Sequence, residues 1–244
     1  MKDSYSILKV KDKTDSYYTK LKDIPDLPMR MVIVGKSHFS GKSTIILNML
    51  LRDKFYKSHF EGENIYIISN NDMDQKMRIL KEEKDIPTSN YMSFSEQNLE
   101  SIYEKVEAEC MEAVDEGEKP VNALIILDDC AASGSLKAKM AGTLARIYCQ
   151  GRHINLSCML TAQKFTMCST IVRSNASCAI LFSNSAREAD AIADDMNYLP
   201  KKSDFIRMFR DTTKERNSFL VVDFSNDNIY LDSNFEKIDL SKIM

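Results

Sequence analysis

The sequence predicts an α/β fold with a mainly parallel central sheet flanked by helices, and three observations lead there. Apolar runs at residues 31–34, 65–68, 123–127, 156–161 and 178–182 are short and continuous, the pattern of strands buried on both faces. Breaker-free stretches suited to helices lie between them, so strand and helix alternate along the chain. The apolar fraction of 43% is ordinary for a globular protein and sufficient for a core without disulfides or metal.

Taken in order, residues 1–30 mix apolar and charged positions such as Ile7, Leu8 and Val10 and end at Pro25 and Pro28. They suggest one or two peripheral strands ahead of the core. The first buried strand closes at Gly35, and a helix follows over 44–53. The run at 65–68 stops at Ser69, Asn70 and Asn71, and a helix and loop then lead to a short strand at 91–94. Residues 96–118 are helix formers rich in acids, read as a solvated outer helix that residues 117–120 terminate. After the strand at 123–127 come a helix at 136–150, a strand at 156–161, a short helix at 169–174 and a strand at 178–182. Runs at 219–224 and 229–231 flank a turn, which predicts a hairpin at the sheet edge. The expected organisation is an N-terminal peripheral segment (1–30), a core (31–200) and a basic C-terminal segment with the hairpin (201–244).

Six scattered cysteines without a CxxC pair, beside three histidines, argue for free thiols and against a zinc site. The longest apolar runs, at 45–51 and 123–127, are too short to span a bilayer, and Lys2 and Asp3 stand where a signal core would be apolar. No membrane segment and a cytoplasm-like compartment are expected. The net charge of −3 excludes a uniformly basic coat for nucleic acid. Its distribution is uneven: no acid occurs between Asp129 and Glu188, whereas Lys137, Lys139, Arg146, Arg152, Lys164, Arg173 and Arg187 do. Buried strands account for part of this run, and an excess of bases remains.

The chemistry is concentrated in two motifs. Gly41-Lys42-Ser43-Thr44 sits between a buried strand and a helix, where backbone N–H groups can hold a triphosphate. Gly35, Ser40, Gly41, Lys42, Ser43 and Thr44 are the candidate nucleotide-binding residues. Lys42 would meet the outer phosphates and Ser43 would ligate Mg²⁺. Five residues, 36–40, separate Gly35 from Gly41 where the usual P-loop has four, which puts the role of Gly35 in question. The apolar strand 123–127 ends in Asp128 and Asp129, the Walker B arrangement: the first acid holds the metal shell and the second polarises the attacking water. Asp129 stands where Glu is commoner, and it could instead cap the following segment. Gln163 follows the strand 156–161 at the edge where open α/β sheets bind ligands, either to contact γ-phosphate and water or to face solvent. Arg152, just ahead of that strand, is a candidate arginine finger or a surface base.

These residues resemble the viral genome-packaging ATPases of the FtsK-HerA class, in the form found in poxviruses, other large DNA viruses and virophages. The similarity covers about residues 31–199. It rests on Gly41-Lys42-Ser43, Leu127-Asp128-Asp129, Gly151-Arg152-His153, Thr161-Ala162-Gln163 and Val172-Arg173-Ser174-Asn175-Ala176. The resemblance implies a RecA-like P-loop NTPase with one strand between the P-loop and Walker B strands, here 65–68. It also implies ATP and Mg²⁺ as ligands, and a homo-oligomeric ring that pumps double-stranded DNA into a procapsid at a capsid vertex. The setting would be the viral assembly site in the host cytoplasm, or the virion. Either Arg152 or Arg173 would be the finger. Ser133-Gly134-Ser135 with Lys137 and Lys139 is a candidate DNA-contacting pore loop, or an ordinary connection. Rival readings are another DNA translocase or helicase-like ATPase, a small-molecule kinase, and a nucleotide-binding scaffold with slow turnover.

Overall fold

The computed structural model describes residues 13–37, 40–71, 74–130, 142–226 and 229–243. Eight strands form one sheet in the order β3-β2-β4-β5-β1-β6-β7-β8. They are β1 (Arg30–Val34), β2 (Ile65–Ser69), β3 (Tyr91–Met92), β4 (Ala123–Asp128), β5 (Leu156–Ala162), β6 (Cys178–Phe182), β7 (Phe219–Asp223) and β8 (Tyr230–Leu231). The first six run parallel, and β7 and β8 close the sheet as an antiparallel edge. The expected hairpin is therefore the pair β7–β8, and the C-terminal segment belongs to the same sheet as the core.

The strands are continuously apolar because both faces are covered. Successive side chains alternate between faces. Val32, Val34, Ile125 and Leu127 enter one core layer, and Met31, Ile33, Leu124 and Ile126 enter the other. Helices α1 (Lys42–Leu51) and α2 (Gln75–Glu83) cover the second layer. Helices α3 (Glu96–Asp115), α4 (Thr143–Gln150), α5 (Thr170–Asn175), α6 (Ala186–Met196) and α7 (Lys202–Thr212) cover the first. The last two helices, amphipathic and packed through Ile192, Met196, Phe205 and Phe209, were not foreseen as separate elements. Among the described residues no helix is long and apolar enough to cross a membrane, and the six cysteines are free thiols.

Two expectations are corrected. The strand between the P-loop strand and the acid-bearing strand is β5, not 65–68, because β5 pairs with β4 on one side and β1 on the other while β2 lies outside β4. All seven residues of β5 are buried, which a central strand requires. The peripheral strands expected over residues 1–30 were read from Ile7, Leu8 and Val10, which lie outside the described residues; the described residues ahead of β1 hold a 3₁₀ turn (Lys13–Ser16) and a Thr19–Leu27 bridge. The acidic face of α3 is not merely solvated. Glu100 and Glu107 each lie 3.2 Å from Arg146 of α4, and Glu96 and Glu100 accept from the backbone and hydroxyl of Thr143.

The entry to β4 and the entry to β5 are tied together by Asn155. It is fully buried with φ 54°, in the left-handed region. Its Nδ2 lies 2.8–3.0 Å from Pro120 O, Val121 O and Asn122 Oδ1, and its carbonyl accepts from Ala123 N. Asn155→Ala removes the amide contacts and leaves a Cβ residue at positive φ, so urea unfolding should show a loss of about 2–4 kcal/mol. Asn155→Gly, which relieves only the backbone, should recover part of it. An unchanged midpoint for the alanine variant would contradict this role.

Candidate functional site

The register of three neighbouring strands brings the sequence motifs to one sheet edge. Val34 pairs with Ala162 and Leu127 with Leu160, so the chain segments leaving β1, β4 and β5 emerge side by side. Such an edge, at the carboxyl ends of parallel strands, is where open α/β sheets bind ligands.

The loop after β1 begins with Gly35, whose N–H still donates to Ala162 O at 3.0 Å. A Cβ there would come within 2.5 Å of Ser40 Cβ and 2.9 Å of Phe182 Cβ. Gly35 is thus required by close packing, and the longer loop closes because Ser40 Oγ donates to Lys36 O at 2.7 Å. Gly41 adopts φ 84° and starts α1, whose first turn carries neither an acid nor a side-chain cap. Its N–H groups and the positive end of the helix dipole suit an anion. Lys42 curls back over the loop, its Nζ 2.7 Å from Gly35 O. Burial lowers its pKa, opposed by the charges of Asp128 and Asp129.

Thr161, fully buried on β5, organises both acids at the end of β4. Its Oγ1 donates to Asp128 Oδ1 at 2.8 Å and accepts from Asp129 N at 3.0 Å. Asp129 leaves the strand with φ 51°, uncommon for a residue with a Cβ and typical of functional sites. Gln163 Nε2 donates to Asp129 Oδ1 at 3.4 Å. Ser43 Oγ lies 3.4 Å from Asp128 Oδ2 and equally from Asp74 Oδ2. Two oxygens in adjacent octahedral positions around a small cation with bonds of 2.0–2.1 Å stand roughly 3 Å apart. The Ser43–Asp128 pair therefore fits such a cation with little movement, and all its donors are hard oxygens.

Asp74 was missed by the sequence reading. It caps α2 through Oδ1, which accepts from Lys76 N and Met77 N, while Oδ2 reaches Ser43. Lys76 Nζ donates to Thr44 Oγ1 at 2.7 Å, so the first turns of α1 and α2 are joined twice. The available signal was position: an acid shortly after a core strand, ahead of a breaker-free helix.

The remaining calls fall elsewhere. Arg152 is exposed in the 3₁₀ turn Gly151–Ile154, which enters β5 at the end opposite Gln163. Seven strand residues at ~3.3 Å each place it about 20 Å away, so it does not join the other candidates within the chain. Arg173 pairs with Asp195 at 2.8 Å and lies over the Phe165 ring. Lys137, Lys139 and Ser133-Gly134-Ser135 lie outside the described residues.

Asp128 is 3% exposed, and burial raises its pKa; Asp74 and Asp129 add to this, while the Thr161 bond and Lys42 oppose it. Its folded-state pKa exceeds the unfolded one, so the folded protein holds this proton more tightly and loses stability as pH rises through the carboxylate range. Asp128→Asn keeps the acceptor for Thr161 and removes the charge. Without added ligands it should melt higher at pH 7, by on the order of 2–4 °C for a gain of ~1 kcal/mol, with a smaller gain at pH 4. A lower midpoint at both pH values would refute this account.

Solved structures share the architecture. The genome packaging NTPase B204 from Sulfolobus turreted icosahedral virus 2, in complex with ATP-gammaS, matches with a TM-score of 0.56 at 17% identity, over 83% of this chain and 94% of that one. B204, the DNA-packaging ATPase from Sulfolobus turreted icosahedral virus, gives 0.54 at 17% over 83% and 95%. EssC (ATPases 2 and 3) from Geobacillus thermodenitrificans gives 0.59 at 15% over 84% of this chain and 39% of that one. At such identities the likeness is one of fold, and the fold is the P-loop NTPase type. Comparison with curated proteins finds no match. Over residues 18–237 the sequence matches the Poxvirus A32 protein family, and the chain belongs to that family.

Proposed function

We propose that the chain is an ATP-driven motor that moves double-stranded DNA into a preformed viral capsid. The observation that carries this reading is the gathering of Lys42, Ser43, Asp128, Asp129 and Gln163 on one sheet edge in a member of the poxvirus A32 family. The B204 NTPases with this fold are genome- and DNA-packaging proteins, which supports the direction of the proposal.

Each residue has a task that its position suits. Gly35, Ser40, Gly41 and Thr44 form and continue the phosphate-binding turn, and the N–H groups at the start of α1 meet the phosphate oxygens. Lys42 exchanges its Gly35 carbonyl contact for the outer phosphates. Ser43 and Asp128 would hold Mg²⁺, which when bound neutralises charge on the β- and γ-phosphoryl oxygens. Asp129 accepts a proton from the attacking water, and Gln163, already bonded to it, orients that water. The short Asp129 side chain is aimed by its left-handed backbone and the Thr161 bond, compensating for the missing methylene of a glutamate. Purified protein should hydrolyse ATP with Mg²⁺, faster with double-stranded DNA, in a manner weakened by salt because phosphate contacts release counterions. Lys42→Ala should abolish turnover, and replacing Lys137 and Lys139 by Ala should reduce stimulation by DNA. Nucleotide binding without turnover under all DNA conditions would favour a scaffold instead.

A ring of subunits, docked at a capsid vertex in the host cytoplasm, is the assembly in which Arg152 acquires a role. It is exposed and remote from the site of its own chain, whereas Arg173 is engaged by Asp195. Arg152 would enter a neighbour's site and stabilise the transferring phosphoryl group. Arg152→Ala should bind ATP but turn over poorly. Mixed with Lys42→Ala protein it should recover activity above the sum of the two, or at least one burst in single-turnover hydrolysis. No burst in rings shown to contain both variants would sink the trans assignment.

A further inference from the structure

The motifs account for the triphosphate end of a nucleotide and say nothing of where its nucleoside goes. The orientation of α1 supplies the missing direction. Lys42 and Ser43 face the Asp128 edge, where the outer phosphates and metal would lie, so the chain of phosphates must leave the turn on the other side. There α1 presents Thr44, Ile45 and Asn48, at the i+3, i+4 and i+7 spacing of one helix face counted from Gly41. That face forms one wall of a cavity of about 380 Å³, within the range of small-molecule pockets. The facing wall is built by Phe182 at the end of β6 and by Arg216 and Asn217 in the connection between α7 and β7.

We infer that this cavity, between α1 and the turn at residues 213–218, is the nucleoside subsite, so that the C-terminal segment completes the nucleotide site. The inference rests on the nucleotide reading above and extends it to residues that no motif identified. Its walls have the mixed character that a base and sugar need. Ile45 and the ring of Phe182 are apolar. Phe182 also closes on the loop itself: a Cβ at Gly41 would sit 3.9 Å from its ring atoms. Asn48 donates through Nδ2 to Thr44 O at 2.8 Å, which fixes the amide and leaves its oxygen as the acceptor for a polar edge. Arg216 adds a planar cation of the kind that stacks on base faces. Asn217 holds φ 65°, a conformation that Asn and Gly tolerate best. A second cavity of about 240 Å³ lies on the Lys36 side of the same turn, lined by Ser183 and Lys214. It does not touch the α1 face along which the chain would emerge.

The test separates the nucleoside from the phosphates by comparing MgATP with Mg-tripolyphosphate as calorimetric titrants of the full-length protein. The variant is the double substitution Asn48→Ala and Asn217→Gly. Residue 217 is exposed and glycine keeps its backbone, and Asn48 is only part-buried, so folding should survive; circular dichroism checks this. ATP affinity should fall roughly tenfold or more, the scale of one or two lost hydrogen bonds, while tripolyphosphate affinity stays within about twofold. Lys42→Ala should weaken both ligands together. Parallel loss of both ligands in the double variant, or unchanged ATP affinity, would overturn the subsite while leaving the phosphate site standing. A loss of ATP affinity in Lys214→Ala but not in the double variant would move the nucleoside to the neighbouring cavity and overturn it as well. Wild-type protein that bound neither ligand would overturn the nucleotide reading and this one with it.

Discussion

A single hydroxyl on the central strand governs the geometry of the site. Thr161 bonds to the carboxylate of Asp128 and to the amide of Asp129, and it can do both only because β5 and β4 run parallel, in register and buried. Shifting one strand by a residue would turn the hydroxyl to the opposite face and separate the acids from the β1 loop. The loop after β1 depends on the same strand, since Gly35 is held by Ala162, which stands between Thr161 and Gln163. Catalytic candidates drawn from three distant parts of the sequence thus share one reference frame, the last two residues of β5.

Much of this was readable from the chain, and the resemblance to viral packaging ATPases of the poxvirus type is borne out by the family match. Buried parallel strands announce themselves as unbroken apolar runs, and the P-loop and Walker B acids are local motifs. The order of strands in the sheet was not legible, because a crossover of similar length can deliver the next strand to either neighbour. That is why 65–68 seemed a suitable intermediate strand when β5 fills that place. Asp74 escaped for a related reason. Its meaning comes from a loop that folds back to Ser43, a contact between residues 31 positions apart that no spacing rule encodes.

The acid-free stretch illustrates how charge read in one dimension differs from charge in three. Arg146 and Arg173 contribute to the apparent basic excess, yet each is matched by acids from another helix. The acids of α3 that looked like a solvated face are part of that matching. Such pairs at part-exposed positions contribute little energy individually, but they fix which helix lies beside which. Arg152, by contrast, stands exposed at the far edge of the sheet.

Asp74 divides its two oxygens between separate duties: one closes the start of α2, the other reaches toward Ser43. Lys76, two residues along, donates to Thr44. A carboxylate is planar and rigid, so swinging one oxygen necessarily swings the other. Any ligand that draws on Ser43 therefore pulls against a helix whose opposite face is anchored in the core by Met77 and Leu80. The arrangement couples the start of α1 to α2 through one carboxylate and one ammonium, on the side of α2 opposite its buried Met77 and Leu80.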